Sequence, residues 1–208
     1  MNNIKKNFIK FAIKKKALKF GQFNLKSGRV SPYFFNSSVF YKGKDIYKLS
    51  NFYAQTIINS KLKFDTLFGL SYKGIPILTS VILTLFKKYN LNIPYCFNRK
   101  EKKKYGEKGI LIGDDISKKK IIILDDVITA GTTIQKIKKI IPKETKISAI
   151  ITAFNRKEYN SKIKQKKDKI ISIIDIKDII KFLKNNKIMS KELEIIIDYY
   201  QKFVKQFN

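Results

Sequence analysis

The segment KIIILDD at 120–126 constrains the fold more than any other part of the chain. Four branched apolar residues in a row leave no polar face, so a strand here must be covered on both sides, as in a parallel sheet flanked by helices. The run ends abruptly in Asp125 and Asp126, and VITAGTT follows at 127–133. In an open parallel sheet, ligands bind beyond the carboxyl ends of the strands, where these acids are delivered.

The rest of the pattern agrees. At 208 residues the chain suits one α/β domain. An amphipathic helix over 4–16, with Ile4, Phe8, Phe11 and Ala12 on one face, leads into β-like stretches 18–25 and 30–36 joined by the turn KSGR. Asp45 opens a helical pattern carrying Ile46, Leu49, Phe52, Tyr53 and Ile57. Then come a strand at 65–70, a helix over 74–89, a strand at 93–98 and a polar stretch 99–119. After the strand at 120–126, a helix over 131–141 and a strand at 145–154 follow. The tail adds a strand at 169–175 and helices near 176–184 and 190–206, with the charge run 160–169 read as a solvated loop. This alternation predicts an open, mainly parallel α/β sheet with helices on both faces.

Composition narrows the partners. The longest apolar run, 74–86, falls short of the roughly 20 residues that span a bilayer. Lysines break up the N-terminal apolar stretch, which reads as a first helix rather than a targeting segment. The single cysteine, Cys96, permits no intramolecular disulfide and suits a reducing, cytoplasmic setting, where the sequon at Asn36 carries no meaning. A net charge of +29 would ordinarily point to nucleic acid or anionic lipid. Here the lysines are scattered beside abundant Ile, Asn, Phe and Tyr, all encoded by A/T-rich codons, and the charge is read as base composition at the gene level. Synonymous third positions rich in G and C would overturn that reading. No specific nucleic acid and no membrane is expected as a partner. Against this background, Arg29, Arg99 and Arg156 are the only arginines, each inside a segment that looks functional on other grounds. A planar bidentate fork is what lysine cannot replace. The alternative for each is a structural buried ion pair, for Arg29 above all.

The residues after Leu124 meet two requirements at once. Gly131 lets the backbone approach a ligand, the first N–H groups of the following helix lack partners, and Thr129, Thr132 and Thr133 add hydroxyl donors, so the loop suits phosphate. Acids beside a phosphate site make sense when the ligand also carries hydroxyls for Asp125 and Asp126 to accept from. A phosphorylated ribose meets both conditions. A Walker B strand also ends in acids, but GLSYKGIP at 69–76 has only the glycine spacing of the required partner loop, followed by Ile-Pro. Two solvated acids at a strand end are the plainest alternative, weakened by the TAGTT that follows.

DDVITAGTT resembles the phosphoribosyl-diphosphate signature of the type I phosphoribosyltransferases. With KFGQFNLKSGRVSPYFFN (19–36), FGLSYKGIP (68–76), PYCFNRKEKKKYGE (94–107) and AFNRKE (153–158), the chain is similar over nearly its full length to the bacterial orotate phosphoribosyltransferases. The resemblance implies a type I phosphoribosyltransferase-like sheet in one domain, 1–208, with a small hood from about 1–40 and a mobile catalytic loop at about 99–113. It implies transfer of ribose 5-phosphate from 5-phosphoribosyl 1-diphosphate (PRPP) to N1 of orotate, giving orotidine 5′-monophosphate and pyrophosphate, with Mg²⁺. PRPP would be bound by Lys26, Tyr72, Lys73, Arg99, Lys100, Lys103, Tyr105, Asp125 and Asp126, and by Val127, Ile128, Thr129, Ala130, Gly131, Thr132 and Thr133. Lys73, Lys103, Asp125 and Asp126 would be the catalytic residues. Orotate would meet Lys26, Phe34, Phe35, Thr129 and Arg156. The implied assembly is a homodimer whose loop 99–113 closes over the partner's site.

Residue chemistry supports this at several points. Charge on departing pyrophosphate must be neutralised by positioned cations, which Lys73 and the cluster Arg99, Lys100 and Lys103 supply. Mg²⁺ keeps much of its water, so it would be held mainly through PRPP, with Asp125 and Asp126 as the nearby carboxylates. A guanidinium suits the carboxylate of orotate, which explains an arginine at 156. For Phe34 and Phe35 ordinary packing is the plainer reading. One departure from the family pattern is Tyr105, which stands where histidine is usual, in a chain without any histidine. A phenol can donate to phosphate but has no positive charge at neutral pH, leaving Lys102, Lys104 or Lys108 to compensate. Two other functions stay open: a PRPP-sensing regulator that binds nucleic acid, and a transferase for another base.

Overall fold

The computed structural model describes residues 1–25, 28–103 (backbone only at 102 and 103), 109–129, 135, 137–158 and 169–203. Helix α1 (Asn3–Lys14) is capped by the Asn2 side chain, which accepts from the Lys5 N–H at 3.1 Å, and it buries Phe8, Ile9, Phe11 and Ala12. Strands β1 (Leu18–Asn24) and β2 (Val30–Phe35) form an antiparallel ribbon with a bulge between Phe20 and Phe23. A 3-10 turn (Ser37–Val39) leads into α2 (Gly43–Ser60). Next are β3 (Thr66–Gly69), α3 (Gly74–Tyr89), β4 (Tyr95–Lys103), β5 (Gly109–Gly113) and β6 (Lys120–Ile128). The chain continues through β7 (Lys146–Asn155), β8 (Ile170–Asp175), α4 (Ile176–Asn186) and α5 (Ser190–Phe203). Helix α4 starts at a capping box in which the Asp175 and Asp178 side chains each accept from the other's backbone N–H.

Six strands make one sheet in the order β5-β4-β3-β6-β7-β8, parallel everywhere except between β4 and β5. The apolar run of β6 sits in the middle, and successive residues point to opposite faces. Ile122 and Leu124 join a core with Leu49 and Phe52 of α2 and Ile77, Leu78 and Val81 of α3. Ile121 and Ile123 join a second cluster with Phe68, Cys96 and Ile137. The unbroken run therefore reflects burial on both sides, as the sequence implies. The ribbon shares the first core: the rings of Tyr33 and Phe35 lie 5.8 and 5.6 Å from that of Phe154 on β7.

Most elements lie within a few residues of their expected bounds, and the polar stretch from 99 departs from them. Strand β4 runs on to Lys103 and β5 begins at Gly109, the two pairing antiparallel at Cys96↔Gly113, Phe97↔Ile112 and Asn98↔Leu111 and, past a break in register, at Lys103↔Gly109. The lysine-rich end of β4 carries no apolar alternation, so backbone pairing supplies a stability that the side chains do not advertise. Of the expected helix over 131–141, residues 131–134 and 136 lie outside the described residues, as does the charge run 160–169 except for Lys169.

Close approach of backbone at the end of β3 determines where α3 starts. Leu70 N–H donates to the Leu124 carbonyl of β6 at 3.3 Å, and Gly74 N–H donates to the Leu70 carbonyl at 2.8 Å. A Cβ on Gly74 would stand 2.9 Å from the Leu124 carbonyl oxygen, so a methyl group there must push α3 away from β6. Gly74→Ala is expected to cost about 1–3 kcal/mol. Calorimetry should then show a melting midpoint several degrees lower, and an unchanged midpoint would mean that α3 can shift freely.

Candidate active site

Three elements converge on the carboxyl end of β6. The buried Asp126 carboxylate accepts through Oδ2 from Ser37 Oγ at 2.6 Å and from Lys73 Nζ at 3.1 Å, and through Oδ1 from the Val127 N–H at 2.9 Å. Asp125 Oδ1 accepts from the Asp126 N–H at 2.9 Å, and the Asp125 carbonyl accepts from the Tyr53 hydroxyl of α2 at 2.6 Å. The 3-10 turn, α2 and the residue before α3 thus meet at one strand end. Burial first, and then the adjacent Asp126 charge, push the Asp125 carboxyl up to about 7, while Lys73 pulls the other way. Burial and the same two acids hold the Tyr53 phenol well above its ordinary value, so it remains a donor.

A cationic rim lies beside this pair. The turn after β3 carries a cis peptide between Ser71 and Tyr72. Asn98 of β4 clamps it: Ser71 N–H donates to Asn98 Oδ1 at 3.1 Å, and Asn98 Nδ2 donates to Ser71 Oγ at 2.8 Å and to the Arg99 carbonyl at 3.0 Å. Tyr72 is exposed, and Lys100 Nζ stands 4.4 Å from its ring centroid. Tyr72, Asn98, Arg99 and Lys100 line a cavity of about 370 Å³. Lys73 keeps half of its side chain exposed while touching Asp126, so its ammonium can also serve a ligand.

On the other side, Arg156 follows β7 and its N–H donates to the Ile128 carbonyl at 3.0 Å, which carries it to the same sheet edge. Its guanidinium lies 4.4 Å from the Tyr33 ring centroid. Nε donates to Glu158 Oε1 at 3.0 Å, while Nη2 reaches the same oxygen at 2.8 Å and Ser31 Oγ at 2.9 Å. Glu158 also accepts from the hydroxyls of Tyr33 at 3.0 Å and Tyr199 at 3.1 Å, and from Arg29 Nη2 at 3.0 Å. Burial works against the charge on Arg156, but Tyr33 and Glu158 outweigh it and hold the guanidinium above its ordinary value.

The chain has close relatives in sequence and fold. Residues 37–188 match the family model of the phosphoribosyl transferase domain. The chain is 52% identical over 208 residues to the orotate phosphoribosyltransferase of Buchnera aphidicola subsp. Acyrthosiphon pisum, covering 96% of this chain and 98% of the relative. With the corresponding protein of Mannheimia succiniciproducens it shares 45% identity, with 98% and 99% covered. The crystal structure of orotate phosphoribosyltransferase from Francisella tularensis matches with a TM-score of 0.80 at 37% identity, covering 94% of this chain and 95% of that one. The chain belongs to the orotate phosphoribosyltransferases.

Of the positions that the sequence assigns to an orotate phosphoribosyltransferase site, Tyr72, Lys73, Arg99, Lys100, Asp125, Asp126, Val127, Ile128, Thr129 and Arg156 all fall at the carboxyl edge of the sheet. Lys26, Tyr105, Ala130, Gly131, Thr132 and Thr133 lie outside the described residues, as does the side chain of Lys103. The two phenylalanines part company, because neighbours on a strand face opposite ways. Phe34 is partly exposed and stacks on Phe23 at 5.4 Å, whereas the Phe35 ring packs in the core against Phe8 and Phe154. The ion-pair alternative holds for both Arg29 and Arg156, and both pair with Glu158.

Ser37, Tyr53, Asn98 and Glu158 escape the sequence reading. For Glu158 a signal exists: it lies two residues from one of three arginines, in a chain with 16 acids against 45 cations. Ser37 and Asn98 carry none, since only folding brings them to their partners.

The raised carboxyl of Asp125 makes stability depend on pH. Its folded value lies above the ordinary carboxylate range, so the folded protein holds the extra proton. That contribution is full below about pH 4 and is lost as pH rises through about 7. Ligand-free protein should show a melting midpoint that falls from about pH 5 to about pH 8, and Asp125→Asn should flatten the slope. A slope that persists in the variant would rule Asp125 out as its source.

Proposed function

We propose that the chain transfers the 5-phosphoribosyl group of PRPP to N1 of orotate, forming orotidine 5′-monophosphate and pyrophosphate in pyrimidine biosynthesis. The observation that carries this reading is the meeting, at one sheet edge, of two adjacent carboxylates, Asp126 held by Lys73 and Ser37 and Asp125 beside it, with a fixed guanidinium at Arg156. The bond from C1 of PRPP to the diphosphate oxygen breaks with its electron pair leaving on pyrophosphate, the bond from C1 to N1 forms, and the N1 proton passes to solvent.

Each residue then has a task. The ribose hydroxyls donate to Asp125 and Asp126, whose negative field also steadies the developing oxocarbenium charge. Backbone and hydroxyl groups of 127–133 hold the 5-phosphate. Lys73, with Tyr72, Arg99, Lys100, Lys103 and Tyr105, receives the departing pyrophosphate, and positioned cations do this without reorganising. Orotate places its carboxylate at Arg156 and its ring beside Phe34 and Thr129, with Lys26 between the two substrates. Among the described residues no group of three His, Cys, Asp or Glu can cage a metal. The adjacent carboxylates of Asp125 and Asp126 are oxygen donors of the kind Mg²⁺ accepts, and they fit an ion held mainly through PRPP oxygens. Bound there, the ion would neutralise diphosphate charge.

Two copies would share their sites, the segment 99–113 of one closing over the diphosphate of the other and excluding water. Exposed Leu83 and Phe86 on α3 support a dimer, since an apolar pair on a helix seeks cover. No described helix is long and apolar enough to cross a membrane.

Purified protein with PRPP and Mg²⁺ is expected to consume orotate and to leave uracil and adenine untouched. Lys73→Ala should lower kcat on the order of a hundredfold. Arg156→Lys should lower kcat/KM for orotate at least about tenfold, because a point charge replaces a fork. PRPP binding without turnover of any base would replace this reading with a regulator. Turnover of uracil or adenine would instead reassign the base. Tyr105→His should lower the Michaelis constant for PRPP by restoring a chargeable donor in the segment over the diphosphate; an unchanged constant would show that neighbouring lysines already suffice.

A further inference from the structure

We infer that Glu158 is the positioning residue of the base site: it fixes the plane and reach of Arg156 and ties that guanidinium to the N-terminal ribbon and to helix α5. This rests on the reading of Arg156 as the anchor for the orotate carboxylate.

Glu158 has no exposed side-chain surface. A carboxylate that deep persists only when its lone pairs are met by strong donors, and a partner lost from such a site leaves an uncompensated charge. Its donors come from four separate places: Arg29 ahead of β2, Tyr33 on β2, Arg156 after β7 and Tyr199 on α5. Oε1 takes both Nε and Nη2 of Arg156, which stops the guanidinium from turning in its own plane. The Tyr33 ring at 4.4 Å beneath it sets the tilt. Ser31 Oγ occupies the outer side of Nη2, so Nη1 is the corner of the fork that these bonds leave to a ligand.

The charges agree with this role. Two guanidiniums surround one carboxylate, leaving a single positive excess, which matches one carboxylate on the incoming base. Helix α5 contributes twice, through the Tyr199 hydroxyl and through Phe203, whose ring centroid lies 5.8 Å from the Arg29 guanidinium carbon. The C-terminal helix thereby reaches the base site without touching the substrate.

Two variants separate positioning from simple charge. Glu158→Asp keeps the charge but withdraws the acceptor by one methylene. Glu158→Gln keeps the length but removes the charge and turns one acceptor into a donor. Positioning predicts that both raise the Michaelis constant for orotate on the order of tenfold, the worth of one charge-assisted hydrogen bond, while the constant for PRPP stays within about twofold. If Glu158 acted only through its field, Glu158→Gln would lower the orotate constant and Glu158→Asp would leave it alone; that result overturns the proposal. Equal changes in both constants, or a lower melting midpoint with neither constant moved, also overturn it and leave Glu158 as a group that only holds the fold. Should neither variant fold, Tyr199→Phe decides, because it removes one donor and keeps the ring. A rise of a few-fold confined to orotate supports the proposal, and no change overturns it. Wild-type protein that turns over no orotate would defeat the functional reading itself, a result distinct from any of these.

Discussion

A carboxylate buried at the end of a central strand must be met by donors, and Asp126 imposes that condition on everything around it. Strand β6 cannot carry its acid to the sheet edge unless Ser37 and Lys73 are brought there to receive it. Those demands locate the 3-10 turn after the ribbon and the turn after β3. The glycine at 74 lets that second turn press against the Leu124 carbonyl. Asp125, next in line, is left with less help, and burial raises its proton affinity instead. One acid is satisfied by partners and its neighbour by holding a proton more tightly, and a pair of this kind is prepared for a ligand that brings hydroxyl donors.

Glu158 solves the same problem differently. It is more deeply buried than Asp126, and its donors include two guanidiniums rather than one exposed ammonium. An ammonium on a flexible stem can leave its partner to meet a diphosphate; a stacked, forked guanidinium cannot. The two acids therefore hold two kinds of cation, a movable ammonium at Lys73 and a fixed guanidinium at Arg156.

The excess of lysine looks different once pairs are visible. Acids are few, and Asp45, Asp114, Asp126, Glu158, Asp175 and Asp178 each face a cation within 4 Å. In a chain so cationic, nearly any acid finds a lysine nearby, so an ion pair by itself says little about function. Burial and geometry discriminate: Lys119 and Asp114 are both partly exposed, whereas the Glu158 side chain beneath Arg156 has no exposed surface.

What the sequence determined by itself was whatever depends on local pattern. Unbroken apolar strands and helical spacing were enough for a mainly parallel α/β sheet with the acid pair near its carboxyl edge, and the spread of motifs pointed to the family. The strand extension over 99–103 was not legible, because a lysine-rich stretch without apolar alternation gives no strand signal. Nor could the chain alone tell Phe34 from Phe35, since an apolar pair on an edge ribbon gives no sign of which face meets the core. Only the tertiary structure brought Ser37 to Asp126, Asn98 to Ser71 and Tyr199 to Glu158, across 89, 27 and 41 positions of chain. Hydrogen bonds between residues so far apart leave no periodic trace, because each donor is chosen by where the backbone finally places it.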